Sequence, residues 1–81
     1  MSKFQLQILT PDKILYSNHT EFIKLPGAEG EVGVLANHAP VVVMLKEGEI
    51  EVKEAGRVQK FAIKRGIFRF LNNHGTCLIL E

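Results

Sequence analysis

The chain has 81 residues, 46% of them hydrophobic, with ten basic and nine acidic side chains in mixed order. That length suits one core and buries only about 60–65% of the unfolded surface, so residues 1–81 read as a single domain. A formal net charge of +1 gives no field strong enough to gather nucleic acid or anionic lipid.

Phe4, Leu6 and Ile8 fall on one face and Gln5 and Gln7 on the other, which predicts a half-buried strand at the start. Thr10-Pro11-Asp12 is turn chemistry, since Pro11 presets φ and Asp12 can bond nearby amides. Ile14-Leu15-Tyr16 predicts a short strand ended by Ser17-Asn18, and Thr20 to Leu25 predicts another. Pro26 and Gly27 are expected to stop it, because proline lacks an amide donor and glycine permits φ > 0. Gly30 and Gly33 keep the chain bendable around Glu29 and Glu31, giving an acidic loop and then a short strand. Asn37-His38-Ala39-Pro40 makes a polar corner before Val41 to Leu45, an almost unbroken apolar strand expected to be buried.

Lys46-Glu47-Gly48 turns the chain into Glu49 to Lys53, charged and apolar in strict alternation. Glu54-Ala55-Gly56-Arg57 reads as a hairpin tip, and Val58 to Ile63 returns with Phe61 and Ile63 inward. Arg65-Gly66 breaks the line before Ile67 to Leu71, where Phe68 and Phe70 share a face. Asn72-Asn73-His74-Gly75 is a hairpin signal, because Asn and Gly tolerate φ > 0. Thr76 to Leu80 is the last strand. Short strands with turn signals every eight to twelve residues predict an all-β sandwich or barrel.

Glu29 and Glu31 share a face if the backbone between them is extended. Acid–base work needs a pocket that splits two carboxyl pKa values, and no nucleophile or metal partner adjoins them. They read better as contact points for a basic or amide-bearing partner. His19, His38 and His74 are placed in separate turns without metal-ligand spacing, so no metal is expected. His38, held between Asn37 and Pro40, either bonds its ring to neighbouring backbone or serves an interface. Cys77 reads as a small buried hydrophobe. As the single cysteine it excludes an internal disulfide and fits a reducing compartment.

Gly27, Gly30 and Gly33 lack the dinucleotide fingerprint, so neither a nucleotide site nor a cofactor is expected. Lys60, Lys64, Arg65 and Arg69 bias the second half towards basic, which a solvated charged face explains. Nothing reads as a signal peptide, and no apolar run approaches the roughly 20 residues that span a bilayer. A soluble, cytoplasmic chain is the expectation.

An ordered series of these pieces resembles the N-terminal β-sandwich domain of the epsilon subunit of F-type ATP synthase. It runs from Leu6-Gln7-Ile8-Leu9-Thr10-Pro11-Asp12 and Ile14-Leu15-Tyr16-Ser17 through Phe22-Ile23-Lys24-Leu25-Pro26-Gly27. It continues with Glu29-Gly30-Glu31-Val32-Gly33-Val34-Leu35, His38-Ala39-Pro40 and Leu45-Lys46-Glu47-Gly48-Glu49-Ile50, and closes on the last hairpin. The resemblance implies about ten strands in two packed sheets and a subunit without chemistry of its own. Such subunits sit at the foot of the central stalk, clasp the gamma subunit and rest on the ring of c subunits. They turn with the rotor and couple proton flow to ATP synthesis, peripheral to the bacterial inner membrane on its cytoplasmic side.

Carried over by position, Glu29, Gly30, Glu31 and Val32 would face the polar loops of the c ring, and Thr10, His38 and Val43 would lie toward gamma. Ala36-Asn37 departs from the family's usual proline–glycine, and Lys64-Arg65-Gly66-Ile67 from its small residue and two glycines. Many members continue past the position of Glu81 into a helical hairpin that can brake hydrolysis; the sandwich alone is expected to assemble and couple without that brake. Two other classes compete with this reading. A free-standing binding module, for carbohydrate for instance, would want exposed aromatics, and a small hydrolase built on Glu29 and Glu31 would want a cleft.

Overall fold

A computed structural model describes residues 2–81. It is all-β, with nine strands: β1 (Phe4–Leu9), β2 (Ile14–Thr20), β3 (Phe22–Gly27), β4 (Gly30–Leu35), β5 (Val41–Leu45), β6 (Gly48–Glu54), β7 (Arg57–Ile63), β8 (Arg65–Leu71) and β9 (His74–Leu80). Hydrogen bonds link them in the order β2-β1-β9-β8-β5-β3-β6-β7, with β4 on the free side of β3. β1 and β9, the first and last strands, run parallel beside each other. The other pairs are antiparallel.

One pair, Gly27 with Leu45, joins the β2-β1-β9-β8-β5 half to the β4-β3-β6-β7 half. Around it the Ala28 amide donates to the Met44 carbonyl at 2.8 Å and the Lys46 amide to the Pro26 carbonyl at 2.9 Å. The sheet curls sharply there, so its halves face one another across a shared core. At the opposite seam the halves are tied mostly by side chains. Thr20 Oγ1 donates to the Lys53 carbonyl at 2.6 Å, and Tyr16 Oη donates to Glu54 Oε1 at 2.6 Å.

Period-two alternation fills the core. Phe4, Leu6 and Ile8 of β1, Ile23 and Leu25 of β3, Ile50 and Val52 of β6, Phe68 and Phe70 of β8, and Cys77 and Ile79 of β9 are all buried. Burying a side chain of this kind stabilises the fold by about 1.5–3 kcal/mol. Phe4 and Phe70 meet edge to face with ring centroids 5.2 Å apart.

The strand expected from Thr20 to Leu25 is divided. Thr20 ends β2, and Glu21, whose amide donates to the Lys53 carbonyl at 3.0 Å, carries the chain across to β3 in the other half. Ser17-Asn18 do not end β2 but lie inside it, opposite Gln7 and Leu6. β2 is a sheet edge, and Ser17, Asn18 and His19 stay exposed along it while Thr20 is buried at the seam. Pro26 and Gly27 likewise belong to β3 rather than stopping it. The amide and carbonyl of a strand residue point the same way, and the Pro26 carbonyl faces Lys46. The missing donor therefore falls where β3 passes from β6 to β5, and the β3–β4 ladder loses nothing.

Candidate functional site

Glu29 occupies the tip of the hairpin that joins β3 to β4, where Gly27 and Gly30 pair across the two-residue turn Ala28-Glu29. Glycine is required on both sides of it. A Cβ on Gly27 would sit 2.5 Å from the Gly30 carbonyl oxygen, and Gly30 has φ 136°. Both strands are thus pressed together at their last pair, which fixes where Glu29 and Glu31 project. Glu31 lies in β4 itself, opposite Pro26, rather than in the acidic loop expected there.

Lys24 holds Glu31 from the neighbouring strand at 3.8 Å and Glu51 at 3.0 Å. Its ammonium pKa is raised by the hydrogen bond to Glu51 first and then by the charge of Glu31. Between the hairpin tip and β5 opens a groove of ≈ 470 Å³. Val32, Val42, Val43 and Met44 give it apolar walls, while Glu29 and Glu31 supply its carboxylates. A basic side chain on a short apolar segment fits that combination.

The groove brings together Glu29, Gly30, Glu31, Val32 and Val43. Thr10 and His38 stand apart from it. Thr10 closes the turn after β1: its Oγ1 accepts from the amides of Asp12 at 3.2 Å and Lys13 at 3.1 Å. β9 and β8 lie between β1 and β5. His38 precedes β5 at the end away from the groove, with its ring edge-on to Phe70 at 6.1 Å between centroids. Its Nδ1–H donates to the Ala39 carbonyl at 2.6 Å, the backbone bond anticipated for it, on an exposed ring. His19 is not in a turn but in β2, opposite Gln5.

The outer face of β5, β8 and β9 was not legible as a surface. Val42 and Met44 are 59% and 61% exposed, against the expectation that this strand is buried. Cross-strand pairing sets Met44 beside Ile67 and Ile67 beside Leu78, and all three are exposed, as are Leu71 and Leu80. Apolar residues at both parities of these strands were the signal, because a strand apolar on both faces needs a cover on each. A contiguous apolar patch of this kind marks an interaction surface. Val42 and Met44 also border the acidic groove, so β5 is a ridge between two surfaces.

Sequence reasoning also missed the work of Glu54. It accepts from Tyr16 Oη and, at 3.0 Å, from Asn18 Nδ2, and burial together with that carboxylate pushes the Tyr16 phenol up to about 12. The lone tyrosine is therefore buried in the seam, unavailable as a stacking platform for sugar.

A family model described as the ATP synthase, Delta/Epsilon chain, beta-sandwich domain matches residues 3–80. The ATP synthase epsilon chain of Caulobacter vibrioides is 36% identical over 81 residues, a match covering 100% of this chain and 93% of that one. The epsilon chains of Caldicellulosiruptor bescii and Desulforamulus reducens are 35% and 40% identical, but the matches cover 57% and 56% of those proteins. The chain thus spans little more than half the length of those two relatives. Among solved structures, a chain of the Euglena gracilis mitochondrial ATP synthase superposes with a TM-score of 0.93 at 24% identity, covering 100% of this chain and 52% of its own. One from the Tetrahymena thermophila mitochondrial ATP synthase central stalk and c ring gives 0.83 at 15% identity. These two likenesses concern the fold.

Proposed function

Since the chain belongs to the family of ATP synthase delta/epsilon β-sandwich domains, whose members are non-catalytic subunits, we propose that it is a rotor subunit of an F-type ATP synthase. It binds the gamma subunit through the apolar outer face of β5, β8 and β9, and the c ring through the groove at the β3–β4 tip. Coupling of proton flow to ATP synthesis then depends on its holding both at once. Its place is peripheral, on the cytoplasmic side of a bacterial inner membrane, without nucleotide or metal of its own.

The observation that carries this reading is the position of β5. Met44 and Val42 wall the acidic groove on one side and belong to the exposed apolar face on the other. Two partners gripping one ridge cannot turn independently, which is what a torque-bearing joint requires. A free-standing binding module has no need of two such surfaces back to back.

Cross-linking tests the assignment without engineering away a background thiol, because Cys77 is buried. In membranes carrying the assembled enzyme, Glu31→Cys should link to a c subunit and Met44→Cys to gamma. Val58→Cys, exposed on the β7 edge, should link to neither. Equal linking from all three positions would remove the assignment.

A further inference from the structure

We infer that Arg69 is the charged anchor of the gamma-binding face, and that the partner offers it a carboxylate set among apolar side chains. This rests on the gamma-binding reading above and adds the chemistry of the contact. Arg69 lies midway along β8, opposite Val42 on one side and Thr76 on the other. Ile67 and Leu71 flank it on the same face of its own strand, and both are exposed. It borders each of two shallow hollows on that face, one with Ile67 and Leu78 and one with Pro40 and Leu71.

Among the described residues Arg69 has no ion-pair partner, the ion pairs being those of Lys24 with Glu31 and Glu51. Nor is one within reach along the face. β1, β2, β5, β8 and β9 together contain no aspartate or glutamate. The opposite half is built differently. Its outer face pairs Lys60 with Glu51 and Glu51 with Lys24, and Lys24 reaches Glu31, so that cations and anions alternate across the strands. One face neutralises itself, while the other keeps a guanidinium amid apolar side chains.

Water can solvate Arg69 while that face is open. When an apolar partner covers the face, the charge is stripped of water and must be paired. A carboxylate meets a guanidinium with two parallel hydrogen bonds, and buried arginine is a frequent anchor at interface centres. A partner presenting lysine or arginine at the same point would be repelled, so the residue also selects.

Binding of the 81-residue chain to its cognate gamma subunit, measured by calorimetry at low and high salt, tests this. Circular dichroism first confirms that each exposed-site variant is folded. Arg69→Ala should weaken binding about tenfold or more, Arg69→Glu should weaken it further, and both should flatten the salt dependence. Ile67→Ser, which removes apolar contact from the same face, should also weaken it. If Ile67→Ser weakens binding while Arg69→Glu leaves it within about twofold, the anchor inference is overturned and the gamma reading stands. If the unaltered chain does not bind, or neither substitution matters, the gamma reading itself fails and the inference with it.

Discussion

Asn37 and Asn73 clasp each other across the end of the sandwich: the Asn37 amide donates to Asn73 Oδ1 at 2.6 Å, and Asn73 Nδ2 donates to Asn37 Oδ1 at 2.9 Å. Both residues adopt positive φ, 68° and 58°, a region asparagine tolerates better than most side chains. The Asn73 carbonyl accepts from the Gln5 amide at 3.0 Å as well. The β4–β5 corner, the β8–β9 hairpin and the start of β1 are thereby fastened at one residue. Asn73→Gly keeps the backbone geometry and loses the clasp; Asn73→Ala loses both. Urea unfolding should show losses of about 1–2 kcal/mol for Gly and more for Ala, and a double-mutant cycle with Asn37→Ala should show coupling above about 0.5 kcal/mol. Additive losses would mean that the two side chains act separately.

Ala55 strains its hairpin. It has φ 51° beside Gly56 at φ 79°, in the turn closed by Glu54 and Arg57. Two positive φ values define the turn that favours Asn-Gly. Ala55→Asn should therefore raise stability by about 0.5–1 kcal/mol, seen as a higher urea midpoint with an unchanged slope. No gain would mean that the tip relaxes out of this turn in solution.

Gly27 allows no side chain. Its Cβ would run into the backbone carbonyl of Gly30, which cannot swing aside as a side chain can. Gly27→Ala should cost about 1–3 kcal/mol and should also loosen c-ring cross-linking from Glu31→Cys, because the tip that aims Glu31 has to shift. Wild-type stability and linking in this variant would show the tip to be less rigid than its pairing implies.

Alkaline pH should destabilise the fold in two stages. Burial pushes the Cys77 thiol from 9.0 up to about 12, and burial together with Glu54 pushes Tyr16 from 10.0 up to about 12. With folded values above the unfolded ones, the native state holds more protons, so both contributions are complete below pH 9 and are lost as pH rises toward 12. Stability measured from pH 8 to 12 should fall first through Cys77 and then more steeply through Tyr16. Cys77→Val should flatten the early part, and Tyr16→Phe the part above pH 10. A flat profile in the unaltered chain would contradict both environments.

Alternation made much of the core legible. Phe4, Leu6 and Ile8, then Ile50 and Val52, then Phe68 and Phe70 point inward as their spacing predicts. The Asn72-Asn73 tip was readable for the same local reason, since both residues have positive φ. What stayed hidden depends on neighbours. Ser17 and Asn18 look like a turn until β2 is known to be an edge, and Pro26 looks like a stop until the change of partner beside it is known. Val42 and Met44 look like core because hydropathy does not reveal which face has a cover. Within the site, Glu29 to Val32 and Val43 converge on one groove. Their chemistry was readable from residue type, whereas the ridge that β5 forms beside them comes from the curl of the sheet.

The parallel pairing of β1 with β9 constrains how the protein is made. Gln5 through Leu9 find their neighbours in His74 through Leu78, so β1 waits for a strand translated after the seven that lie between them. Until His74–Leu80 clears the ribosomal exit tunnel, β1 and β8 each present a bare edge to other nascent chains. Closing so distant a pair is also entropically slow. The sandwich therefore stays open to mispairing until β9 is made, and protection by a ribosome-bound chaperone should matter more for it than for a helical protein of equal length.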